Sequence, residues 1–185
     1  FKKAKTINQY TRKYQPKKPQ IMKKSIFKNG IIGGIIVSIV MIAMTYFMKT
    51  HPNQEPNPIM GFISMLLAFI TVIIGIKRVR LDHNGSITFG KAFLTGFGIS
   101  FVIATIYVLV WLIIFYNFFP DFMEKYSEMV LKNTPPESLA AKTAEMNQMA
   151  AWYKSPVMVI LLTYTEILPI GIIVSLISAL ILKKK

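Results

Sequence analysis

Residues 29–48 read NGIIGGIIVSIVMIAMTYFM, twenty consecutive positions without a charge, closed by Lys28 at one end and Lys49 at the other. At about 1.5 Å of rise per helical residue, such a run covers about 30 Å, the thickness of a bilayer's hydrocarbon core. A strand of a membrane β-barrel would alternate apolar and polar residues over about ten positions. This run is continuously apolar, so it reads as a membrane-spanning helix.

Working outward, three more charge gaps of the right length follow. Between Glu55 and Lys77 lie 21 uncharged residues, with Pro56 and Pro58 at the mouth, where a missing N–H does no harm. Between Lys91 and Asp121 lie 29, more than a bilayer needs, which predicts tilt or an end projecting into the headgroups; Tyr107, Trp111 and Tyr116 enrich its later half. The 28 residues from 155 to 182 contain one charge, Glu166. The expected spans are 30–48, 58–76, 92–118 and 157–182, forming one transmembrane domain over 30–182 between a basic tail (1–29) and a basic end (183–185).

Composition agrees. A 185-residue chain that is 53% apolar, with mean hydropathy +0.47, is far from a soluble domain. The fold class is therefore an all-α integral membrane four-helix bundle. The net charge of +14 would suggest nucleic acid in a soluble protein, but here Lys and Arg flank the apolar runs, so a nucleic-acid partner is disfavoured and the lipid bilayer is the expected one. With no cysteine, disulfides, thiolate chemistry and Cys-ligated metals are excluded.

Orientation follows from where the cations lie. The stretch up to Asn29 holds ten Lys and Arg, the loop from Lys77 to Lys91 four, and the C-terminus three. The other two loops hold only five, beside six acids. Both termini are therefore expected in the cytoplasm, and the first span, longer than a signal peptide's apolar core, reads as a signal anchor. Met22-Lys23-Lys24 looks like an initiation site, so residues 1–21 are expected to be an upstream extension, mobile or lying on anionic headgroups.

Lipid removes most of the hydrophobic drive between helices, leaving close approach at small residues to hold them together. Three spans carry such residues four apart: Gly30, Gly34 and Ser38; Gly96, Ser100 and Ala104; and Gly171, Ser175 and Ala179. All fall in the cytoplasmic half, as does Gly75 of the second span, which predicts a bundle tight there and splayed outward. The outer segment 120–156 is too long for an unstructured loop. Phe122, Tyr126, Met129 and Val130 recur at helical spacing, and after Thr134-Pro135-Pro136 a second helix is expected with Leu139, Met146, Met149 and Trp152 on its apolar side. Together they make an amphipathic helical hairpin over the bilayer surface, or a docking face for a partner.

Glu166 is the one ionisable residue inside a span, and an insertion cost of about 3 kcal/mol asks for an explanation. With Thr163, Thr165 and the helix-interrupting Pro169 it supplies hydroxyls, a carboxyl and a freed carbonyl, the ingredients of a cation or proton site. The competing reading is a protonated Glu hydrogen-bonded to a neighbouring helix. His51 and His83 lie in loops on opposite sides of the membrane and cannot share a metal. No nucleophile elbow, P-loop, zinc-protease or dinucleotide motif is present, so the expectation is no enzyme, with no catalytic, cofactor-binding or metal-ligating residues.

At Asn84-Gly85-Ser86-Ile87-Thr88-Phe89-Gly90-Lys91-Ala92-Phe93 and Glu166-Ile167-Leu168-Pro169-Ile170-Gly171, the chain resembles the bacterial family called domain of unknown function 4199, over Met22 to Lys185. The resemblance implies a small four-span protein of Bacteroidota with a long third loop, located in the bacterial inner membrane, and brings no activity. The expected role is a non-enzymatic structural or interaction subunit, forming a homo-oligomer or joining a larger membrane complex. The alternatives are a small transporter or channel-like subunit using Glu166, and a tether in which the basic tail holds anionic lipid or nucleic acid.

Overall fold

The computed structural model describes residues 18–51 and 58–184. Six α-helices follow one another among them: α1 (Lys18–Thr50), α2 (Pro58–Asp82), α3 (Phe89–Phe118), α4 (Phe122–Lys132), α5 (Leu139–Tyr153) and α6 (Pro156–Leu182), with a single 3₁₀ turn, Pro136–Ser138, leading into α5. The described residues contain no strand, only one isolated bridge.

Four of these helices, α1, α2, α3 and α6, are long and apolar enough to cross a membrane, with mean hydropathies of 2.2 to 2.7 over their best stretches. Only 22–39% of each stretch is buried inside the protein. Ile31, Ile35, Ile39 and Ile42 on α1, and Ile173, Leu176, Ile177 and Leu180 on α6, face outward. Water would penalise that much exposed hydrocarbon, at roughly 25 cal/mol per Å². Lipid does not, and the chain is a multi-pass membrane protein.

Helix α3 is central. It packs along α1 on one side and α6 on the other, while α2 closes against all three. The interior is built from Phe69, Val72 and Ile76 of α2, Ile99 and Ile103 of α3, and Ile167 of α6, each at most 1% exposed.

The helices overrun the charge gaps at the end that carries both termini. α1 starts at Lys18, not at Gly30, and α2 continues to Asp82, not to Ile76. A charge gap measures the depth of hydrocarbon, whereas Lys and Arg are good helix formers beyond it. Residues 1–17 lie outside the described residues, so the expected extension over 1–21 meets the structure only at Lys18–Ile21, which are helical. Nor are residues 18–29 simply a tail, because Ser25 and Asn29 are buried against α2.

At this basic end the chain turns through Asn84 and Gly85, at φ 57° and 80°, a left-handed conformation that suits Asn and Gly. The turn delivers Ile87 to Lys184, and the two exchange backbone hydrogen bonds of 2.8 and 2.9 Å. Arg80 Nη1 donates to the carbonyl of Leu182 at 3.4 Å, placing a cation at the carbonyl-rich end of α6.

Candidate functional site

The bundle has two halves of different character. In the half nearest the termini, small residues let backbones touch. A Cβ built on Gly30 would stand 2.6 Å from Val102 Cβ, and one on Gly171 would stand 2.7 Å from Ser100 Cβ. Gly34 faces Ile106, and Gly96 faces Ile76 and Ser175. Ser38, Ala104 and Ala179 are buried. Ser175 Oγ donates to Gly171 O at 2.6 Å, and Ser100 Oγ lies 3.1 Å from both that carbonyl and the Ser175 hydroxyl. The three small-residue stripes are thus occupied within the chain: α1 against α3, and α3 against α6.

Residues outside those stripes complete the seam. Gly33 stands over the Ala68 carbonyl and Thr71, and Gly75 over Asn29. Ser25 Oγ donates to Gly75 O at 3.0 Å, and Asn29 Nδ2 donates to Ser25 O at 2.9 Å. The crowded GlyGly pair at 33–34 was a visible signal for the first; charges around Ser25 and Asn29 hid the second.

In the other half the helices part. A cavity of about 170 Å³ opens among α1, α2 and α3, lined by Met41, Met44 and Met48 of α1, Met65 of α2, and Tyr107 and Trp111 of α3. Phe119 and Phe122 also line it. Phe122 is the hub of an aromatic cluster: its ring centroid lies 5.4 Å from Trp111, 6.0 Å from Phe115, 6.0 Å from Tyr126 and 5.9 Å from Tyr153. These rings fasten α4 and the end of α5 onto the top of α3.

The helices α4 and α5 that follow α3 make the contacts at this end. Met146 of α5 is buried, but Leu139 and Trp152 are exposed, and Tyr153 is the ring that packs inward, 5.5 Å from Phe115. Adjacent helical residues point about 100° apart, so Trp152 and Tyr153 cannot share a face, and the larger ring is left outside. Burial first, then the charges of Glu166 and Tyr126, push the Tyr153 phenol above its ordinary value.

The polar residues of α6 do not converge. Thr163 is buried and its hydroxyl donates to Val159 O at 2.7 Å; Thr165 is exposed and donates to Leu162 O at 2.7 Å. Pro169, also exposed, lies inside an unbroken helix. Glu166 is exposed on the outer half of α6 and, among the described residues, its carboxyl has no hydrogen bond or ion pair. No hydrogen bond from it to a neighbouring helix is present among the described residues, although its charge acts on the Tyr153 phenol of α5. His51 and His83 lie beyond opposite ends of the bundle, following α1 and α2, and no group of three or more His, Asp or Glu among the described residues could hold a metal ion.

A family model described as "Protein of unknown function (DUF4199)" matches residues 28–184. No curated protein and no solved structure shows a significant match to the chain.

Proposed function

Because the chain belongs to this DUF4199 family, which brings no assigned activity, we propose from the site itself that the protein is a non-enzymatic interaction subunit of a bacterial inner-membrane assembly. The observation that carries the reading is Glu166. A carboxyl within a spanning helix costs about 3 kcal/mol on insertion scales, and among the described residues this one has no hydrogen bond or ion pair, although its charge reaches the Tyr153 phenol. A donor from another membrane protein, or from a second copy, removes that cost. The lopsided cations put the termini-bearing end in the cytoplasm and the Glu166 half outward.

The small-residue stripes do not support this reading, since they are spent inside the bundle. Nor does the arrangement favour a transporter. An ion path needs ligands that converge, and the Thr163 and Thr165 hydroxyls, one buried and one exposed, each donate to a carbonyl of their own helix and not to Glu166.

Blue-native electrophoresis from mild detergent, with a photo-crosslinker at Leu162 one turn from Glu166, tests the proposal. The native protein should run as a complex and crosslink through Leu162, while Glu166→Leu should run at the monomer's size with its helix content unchanged. A native protein that runs as a monomer and crosslinks to nothing but lipid overturns it.

A further inference from the structure

We propose that the outer cavity is a thioether site for a soft monovalent metal cation, Cu(I) or its redox-inert analogue Ag(I). The inference does not involve Glu166 and stands or falls apart from the preceding one.

Four methionines share this one cavity. Met41, Met44 and Met48 fall at i, i+3 and i+7, which on a helix is a single narrow stripe about 10 Å long, and Met65 faces it from the antiparallel α2. Met44 sits in the middle of the stripe, with Met41 and Met48 about one turn to either side, and all three open on the same cavity. Each has three rotatable bonds and a polarizable sulfur with which to do so.

The donor set selects the ion. No carboxylate, imidazole or thiolate lines the cavity, so Mg²⁺, Ca²⁺ and Zn²⁺ find no ligand of the kind they need. Of the three lining hydroxyls, Thr45 and Ser64 donate to Met41 O at 2.8 Å and Gly61 O at 2.6 Å, and Tyr107 supplies the third. Four thioether sulfurs outnumber these neutral oxygens, and thioether is a soft ligand suited to Cu(I). Neutral ligands leave the ion's positive charge uncompensated in a medium of low dielectric. Trp111 and Tyr107 also line the cavity, and aromatic rings attract a cation through their quadrupole without an anion.

The test uses the full chain purified in detergent and titrated with Ag(I), followed by X-ray absorption of the Cu(I)-loaded protein. One equivalent should bind, with sulfur neighbours and no nitrogen. Met44→Leu and Met65→Leu conserve side-chain volume and so keep the fold; each should weaken binding at least tenfold, and the double variant should abolish it. Met158→Leu, outside the cavity, should bind as the native protein does. The proposal is overturned if the native protein binds no silver, if the double variant binds as tightly as the native protein, or if Met158→Leu weakens binding as much as the cavity variants. It is equally overturned if the cavity yields only co-purified lipid that silver does not displace.

Discussion

The two halves of this bundle hold together by different means. Near the termini, glycine and serine bring backbones into contact and the buried polar atoms bond across helices. Toward the other end, bulky rings and methionines keep α1, α2 and α3 apart, and α4 and α5 are pinned across the gap by Phe122 and Tyr153. In lipid, where apolar surface has no reason to hide, tight packing is a matter of shape and not of hydrophobicity. A region can therefore be equally apolar and yet open.

That contrast is best broken at Gly33. A Cβ there would stand 2.9 Å from the Ala68 carbonyl and 2.6 Å from Ile103 Cδ1, so Gly33→Leu must drive α1 off α2. The expected loss is about 3 kcal/mol, read as a lowered thermal midpoint and a broadened elution profile in detergent. The same change at Gly61, whose Cβ would meet nothing within 4 Å, should be tolerated.

Phe122→Ala attacks the other half. Half-buried, the ring should contribute about 2 kcal/mol to the seating of α4, less than a fully buried phenylalanine. Hydrogen exchange should quicken over 122–132 while 94–100 keeps its protection. Uniform loss across both segments would show that the halves are one cooperative unit.

Smaller effects sharpen the boundary. Ser100→Ala and Ser175→Ala should each cost about 0.6 kcal/mol, with the double variant short of the sum because the hydroxyls share one carbonyl. Least of all, Asp121→Asn should leave the thermal midpoint of the bundle unchanged. The Lys125 ammonium, 2.6 Å away, holds the exposed Asp121 carboxyl below its ordinary value. Whatever it adds to α4 is present above the unfolded value and fades only as pH falls through the lower folded one. Acid titration by NMR should show Asp121 as a late-protonating carboxyl, and Lys125→Ala should return it to the ordinary range.

Much of this was readable in the chain. The gap between Lys28 and Lys49 gives a span because charge and hydrocarbon exclude each other, and the spacing of Gly96 and Ser100 places both on one side of α3 because 3.6-residue periodicity fixes it. The start of α1 was not readable, since Lys18 and Lys23 suit a helix as well as a coil. Tyr153 was hidden beside Trp152: choosing between neighbours needs the register of α5, which its alanines leave open. The cavity was hidden because its walls belong to three helices, and nothing in Met44 or Met65 states how far apart α1 and α2 stand.

The central position of α3 also sets an order of biogenesis. Its contact with α1 is available as soon as α3 enters the membrane, whereas Ser100 must wait for Gly171, 71 residues later in the chain. At 5–20 residues per second that is roughly 4–14 s of synthesis. During it, a hydroxyl destined for the seam is bathed in acyl chains or held by the insertion machinery, so a ribosome stalled before α6 would leave a three-helix product with its most polar stripe unsheltered.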